Sequence, residues 1–233
     1  TNFWIATFAL SLILIFENCN YIYVYCMAEN KPSGWNSTWY YQDNITIGAT
    51  VFWGTKLDGD LAYRVTDKEH NDAEIIGYFG NSNTINIPSE IFINAYTKCT
   101  VKGIGDYAFW RRNPNMTEID IPNTVESIGE GAFGNCIKMQ NINLPVSVTS
   151  IGDYAFKGCS GLQSINITDA TIGRYAFYDC SGLKSVTIAG SITSISDYAF
   201  ANCTNIETLT INCPNVLEIY QHTFELVDKS VLV

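Results

Sequence analysis

Few residues of this 233-residue chain could do chemistry, and most of them are regularly placed. Its two histidines, His70 and His222, lie far apart, with no HExxH, GxSxG, Walker or GxGxxG pattern near either. A general base with neither nucleophile nor orienting partner in view disfavours an enzyme. The carboxylates of Asp106, Glu130, Asp153 and Asp197 recur in step, with Arg174 interrupting the row and Gln221 ending it. Such a row could hold a hard cation, which needs six or more converging oxygens. It could equally satisfy the free amides at the starts of short helical turns. The interruption favours capping, so neither a metal nor a cofactor is expected. Of eight cysteines, Cys136, Cys159, Cys180 and Cys203 each follow a repeated phenylalanine by three residues. That position points inward, where a thiol acts as a small apolar group. Stacked neighbours about 5 Å apart also lie within disulfide reach, so free thiols are the favoured reading and pairing the alternative. Cys99 and Cys213 stand outside this ladder, and Cys19 and Cys26 fall near the amino terminus.

The elements that must position these groups are set by a repeat. IGDYAF at Ile104 returns as IGEGAF at Ile128, IGDYAF at Ile151, IGRYAF at Ile172, ISDYAF at Ile195 and, degraded, IYQHTF at Ile219. Between these blocks lie Ile119-Asp120-Ile121, Ile142-Asn143-Leu144, Ile165-Asn166-Ile167, Val186-Thr187-Ile188 and Leu209-Thr210-Ile211, whose period of two marks short strands. A unit of about 23 residues cannot bury its apolar side alone, whereas stacked units can. Phe109, Phe133, Phe156, Phe177, Phe200 and Phe224 then fall above one another in one elongated core. Strand, turn, second β-branched segment and a tight AF-containing helical turn predict an α/β repeat solenoid, right-handed by the usual chirality of parallel crossovers. The glycines at 105, 129, 152 and 173 are expected to let the chain turn sharply into that helix.

Composition sets the surroundings. The chain is 47% hydrophobic and 15% charged with a formal net charge of -10, which excludes disorder and leaves a surface rich in amides and hydroxyls. Thirteen Lys and Arg against 23 Asp and Glu, with no basic cluster, exclude nucleic acid as a partner. The charge-free run Phe3 to Phe16 is short for a membrane span and fits a signal peptide. A retained signal anchor and a buried segment are the alternatives, because no basic residue precedes Lys31. Membrane contact is expected only through such an anchor. Five Asn-x-Ser/Thr triplets are close to what the composition gives by chance, and are compatible with export and no more. The organisation reads as 1–28 signal peptide or anchor, 29–100 aromatic-rich segment and β cap, and 101–233 repeats.

Residues such as IGDYAFKGCSGLQSINIT resemble the BspA-like leucine-rich repeats of bacterial and protist surface proteins. Phe156, Cys159, Leu162, Ile165 and Ile167 reproduce the unit, and Pro122 and Pro145 supply its strand-closing proline. The resemblance covers about residues 57 to 227. It implies a secreted or surface-displayed protein that adheres to a host or neighbouring-cell surface or matrix protein. Departures are Arg112 in the first unit's cysteine position, Gly131 in place of a repeated tyrosine, and a fourth unit shortened near Ala170.

Three candidate surfaces emerge. Tyr107, Tyr154, Tyr175 and Tyr198 form a row with Gly131 and His222 at the matching positions; tyrosine anchors interfaces well, and equally covers the backbone of a neighbouring coil. Glu118, Asn141, Ser164, Ser185 and Thr208, beside Asp120, Asn143, Asn166, Thr187 and Thr210, face outward from the strands. They either hydrogen-bond a partner or keep the sheet soluble. Trp35, Trp39, Tyr40, Tyr41, Phe52 and Trp53 either cap the first coil or form a platform for a glycan. A solenoid that merely spaces another domain from a surface would need none of the three.

Overall fold

A computed structural model describes residues 21–26, 38–39, 48–53, 56–92, 97–110, 115–215 and 217–231, with side chains from 57 onward. The chain divides into two compact units, 1–56 and 57–233. In the first, strand Tyr21–Cys26 pairs in parallel with Gly48–Trp53, which also takes Thr38–Trp39 antiparallel. Of the expected signal segment 1–28, residues 1–20 and 27–28 lie outside the described residues, and Tyr21–Cys26 is the strand just named.

The second unit is a β-solenoid. It begins with the antiparallel hairpin Leu61–Asp67 and Asp72–Tyr78, in whose turn the Asp67 carboxylate accepts the amides of Glu69 and His70. From the second hairpin strand a parallel ladder runs through Lys98–Ile104, Ser127–Ile128, Ser150–Ile151, Thr171–Ile172, Ser194–Ile195 and Glu218–Ile219. Its register aligns Ile75, Ile104, Ile128, Ile151, Ile172, Ile195 and Ile219 in one column.

The other strand of each coil forms two separate three-stranded parallel sheets. Thr84–Asn86, Glu118–Asp120 and Asn141–Ile142 make one; Ser164–Thr168, Ser185–Ala189 and Thr208–Asn212 make the other. Strands of two or three residues occur in the units that carry Pro88, Pro122 or Pro145, and strands of five where that place holds another residue. Proline has no N–H to give to a ladder, so it closes the pairing early.

The phenylalanine column forms as expected. Phe109, Phe133, Phe156, Phe177 and Phe200 are fully buried, and consecutive rings from Phe109 to Phe224 stack at 5.2, 5.2, 5.0, 4.9 and 5.4 Å. Tyr78 leans on Phe109 at 6.2 Å and closes the column at the hairpin end.

Two expectations are corrected. The α/β label fails, because the repeated AF segment is a turn; the sole helix among the described residues is the 3-10 turn Lys229–Val231. The reason lies in where the amides go. Ala155 N–H reaches back to Gly152 O, but Tyr154 and Phe156 N–H donate to Arg174 O and Ala176 O of the next coil. Alternate amides spent between coils leave no ladder along an α-helix. Nor do Gly129, Gly152 and Gly173 supply unusual backbone angles, since they are absent from the residues with positive φ. A Cβ on Gly152 would sit 2.7 Å from Gly129 C and one on Gly173 2.6 Å from Asp153 N, so these glycines allow adjacent coils to approach. Ser196 holds the equivalent place one coil on, where the amide bond across coils lengthens to 3.4 Å, against 2.9 Å at Gly173.

Candidate binding surfaces

The residue that does take positive φ is the repeated tyrosine. Tyr107, Tyr154, Tyr175 and Tyr198 have φ of 56, 58, 56 and 59°, and Gly131 takes 57° in the same place. This left-handed region costs an L-residue roughly 1–2 kcal/mol, so each ring must find compensating contacts. Tyr154, Tyr175, Tyr198 and His222 do so by stacking at 5.1, 4.8 and 4.7 Å, within 5° of parallel. Within the stack the facing ring surfaces are spent on one another. All four side chains are half-buried.

Tyr107 stands apart from this stack. Its hydroxyl donates to the Glu130 carboxylate, and its ring meets Trp110 edge-on at 5.7 Å. A Cβ on Gly131 would lie 2.6 Å from the Tyr107 ring, and one on Gly134 2.0 Å from Trp110. The Tyr107 ring, with Trp110 behind it, thus fills the space that a side chain at the second-coil tyrosine position would need. The row predicted from sequence is one continuous stack of three tyrosines and a histidine, plus a separate Tyr107–Trp110 pair.

Sequence reasoning missed three neighbours of the stack. Tyr178 meets Tyr175 edge-on at 5.5 Å and accepts from the Asn202 amide at 3.3 Å. Lys157 lies 5.4 Å from both the Tyr154 and Tyr178 ring centres, and Arg174 lies 5.8 Å from that of Tyr175. Trp110, Lys157 and Tyr178 all directly follow a repeat phenylalanine, a place whose residue changes from unit to unit, and that variation was the available signal.

The carboxylate row has a different task from the one expected. Asp106 and Asp153 each accept the backbone amide of the next coil's equivalent residue, Glu130 and Arg174, at 2.7 Å. Asp197 accepts from the His222 amide at 3.1 Å and faces its Nδ1 at 3.2 Å. These groups staple coils together instead of capping helices. No group of three or more metal-ligating side chains gathers among the described residues.

The four ladder thiols are buried and free. Each also donates to the carbonyl of the preceding coil's phenylalanine: Cys136 to Phe109 at 3.5 Å, and Cys159, Cys180 and Cys203 to Phe133, Phe156 and Phe177 at 3.1 Å. They are therefore donors between coils as well as apolar fillers. Burial, reinforced by neighbouring thiols, pushes the Cys136 and Cys180 thiols well above their ordinary range, which keeps them protonated.

On the strand face, Asn166, Thr187 and Thr210 share one register row, while Asn143 lies just beyond its two-residue strand in the other sheet. The side chains of the aromatic cluster, Trp35, Trp39, Tyr40, Tyr41, Phe52 and Trp53, lie outside the described residues, as does Arg112.

The profile of the BspA type leucine-rich repeat region matches residues 102–229 in six copies. No curated protein sequence matches the chain. Among solved structures, a leucine-rich repeat protein of Bacteroides ovatus is similar, with a TM-score of 0.53 and 28% identity, over 74% of this chain and 51% of its own. The pneumococcal vaccine antigen PcpA aligns with a TM-score of 0.61 at 22% identity, over 74% of this chain and 47% of its own. A leucine-rich repeat protein of T. pallidum gives 0.54 at 23%, over 70% and 85%. The last two likenesses concern the fold alone, and the chain spans about half the length of the first two proteins.

Proposed function

Because the chain belongs to the BspA type leucine-rich repeat family, we propose that it is a non-catalytic scaffold, secreted or displayed at a cell surface, that binds a protein. The partner is a surface or matrix protein of a host or neighbouring cell, engaged along the edge built by Tyr154, Tyr175 and Tyr198. The observation that supports this reading is the stack itself. Three consecutive coils keep tyrosine at a φ that glycine adopts freely, and stack its rings into one partly exposed row. Tyrosine is enriched among the residues that dominate binding energy, since one rigid ring contributes much contact area at small entropic cost.

The test measures binding of the 233-residue chain to immobilised matrix proteins and to intact cells. A variant with Tyr154, Tyr175 and Tyr198 all changed to alanine is expected to lose at least ten-fold in affinity while still unfolding cooperatively. Binding undiminished in that variant, or absent from the parent chain across the whole panel, would contradict the proposal.

A further inference from the structure

We infer that the strand Thr208–Asn212, in the last coil of the solenoid, pairs antiparallel with the same strand of a second copy of this chain. The inference goes beyond the tyrosine row and does not depend on it. A strand at a sheet edge offers unpaired backbone groups to another chain unless it is short, charged, interrupted by proline or covered. Within the solenoid unit the other edges are managed in these ways. Thr84–Asn86 and Glu90–Phe92 have three residues, Lys56–Asp58 has three with two charges, and Glu218–Ile219 has two with one charge. Ser164–Thr168 is covered by the preceding coil, where the Gln163 N–H donates to Gln140 O at 3.1 Å. Thr208–Asn212 pairs with Ser185–Ala189 on one side only, and has five residues with neither proline nor charge.

The packing at this end is open as well. Leu209 and Ile211 continue the columns of Val186 and Ile188, which are fully buried, yet Leu209 is half-buried and Ile211 is 37% exposed. Half of the exposed large apolar side chains among the described residues, Ile211, Ile219, Tyr220 and Leu226, fall between residues 211 and 226. A solenoid end that stands alone in water needs a polar outer face instead. The strand's own pattern selects a second copy. The Thr208 N–H is given to Lys184 O of the preceding coil, so alternation turns the backbone groups of Leu209 and Ile211 to the free side. Antiparallel pairing centred on Thr210 sets Leu209 against Ile211 of the second copy as a hydrogen-bonded pair, and Ile211 against its Leu209 in the same way. Thr210 then meets its own counterpart as the closer, non-hydrogen-bonded pair, and Thr208 meets Asn212. Apolar side chains face apolar ones and polar face polar, with no charge in the paired segment of a chain whose formal charge is -10. A slip of one residue would destroy that match. Such a contact uses one surface twice and closes at two chains.

The experiment follows the full chain by sedimentation equilibrium with reductant present, at about 0.15 M salt, where repulsion between two acidic chains is screened beyond about 8 Å. A reversible monomer–dimer equilibrium is expected between about 1 and 100 μM. Ile211→Lys places a charge in each pairing strand at a site already open to water. It is expected to weaken the dimer at least ten-fold while leaving the circular dichroism spectrum of the parent. Thr210→Cys, in a Cys213→Ser background, tests the register, because a non-hydrogen-bonded pair brings Cα atoms to about 4.5 Å, within disulfide reach. Oxidised glutathione should link the two introduced thiols into a covalent dimer. The same substitution at Thr187, in the middle strand of the sheet, should leave the chains unlinked.

A parent chain that stays monomeric over that range, a dimer that Ile211→Lys leaves intact, equal linking at positions 210 and 187, or growth beyond dimers would each overturn the inference. A monomeric parent that takes up a synthetic peptide copying residues 185–207 would give the strand to an added coil instead, and would overturn it equally.

Discussion

The phenylalanine column and the tyrosine stack run through the same coils at nearly the same spacing, 4.9 to 5.4 Å against 4.7 to 5.1 Å, but they tolerate change differently. Every repeat from Phe109 to Phe224 keeps its phenylalanine. The tyrosine stack gives way to Gly131 in one coil and to His222 in another. A ring deleted from the dry column leaves a void bounded by two other rings. A ring deleted from the edge exposes its neighbours to water and, where glycine replaces it, relieves a strained backbone. Equal geometry therefore conceals unequal energetics: the column specifies how coils pile, and the edge is free to be shaped by what it contacts.

The sharpest way to break this comparison is Phe156→Ala, which removes a ring packed between Phe133 and Phe177. It is expected to cost about 3–5 kcal/mol in urea unfolding and to disrupt the neighbouring coils as well. A loss below about 1 kcal/mol would put the column on a par with the edge. Next in size is Gly152→Ala, where the new methyl group meets backbone of the adjacent coil at 2.7 Å. The expected loss is about 2–3 kcal/mol, seen as a lower midpoint, and an unchanged midpoint would show that the coils can move apart at little cost.

Cys180→Ala removes a buried donor to the Phe156 carbonyl, which still receives the Cys159 amide at 3.1 Å, so about 1 kcal/mol is expected. Thiol titration adds a second reading. In the native protein Cys136, Cys159, Cys180 and Cys203 should resist a thiol reagent at about pH 8 that labels them in urea, and rapid native labelling would contradict their burial. The smallest effect belongs to the exposed pair at the hairpin turn. Hydrogen bonding to Asp67 raises the His70 pKa, and bonding to His70 lowers that of Asp67. The pair's contribution is present between roughly pH 4 and pH 6.5. It fades as pH rises through the elevated histidine value, and as pH falls through the depressed carboxylate value. A small change in Tm across that window, abolished by His70→Gln, is the expected observation.

Much of the scaffold was legible because one hexapeptide occurs six times with its phenylalanine and isoleucine in phase. What escaped the sequence was information held between coils. Gly129 and Gly152 look like turn formers along the chain, yet their need arises from backbone of the neighbouring coil, one repeat away. The helix expected at each AF segment fails for a related reason, since the partner of the Phe156 amide is Ala176 of the next unit. The exchange of a tyrosine for Gly131 against the Tyr107 and Trp110 rings is likewise a trade across two units, invisible within either. The edge carboxylates recur plainly in sequence, but that Asp106 and Asp153 accept backbone amides of the next coil emerges only from the packed arrangement.

The claim that the edge serves recognition and the column serves stability is tested most directly by Tyr175→Gly, followed for unfolding and for binding in the same preparation. Glycine relieves the left-handed backbone while forfeiting three ring contacts, two stacked and one edge-on. The stability loss should stay below about 1.5 kcal/mol, while affinity for the matrix protein or cell surface that binds the parent chain falls at least five-fold. Affinity equal to the parent's, or a stability loss as large as that of Phe156→Ala, would contradict the account.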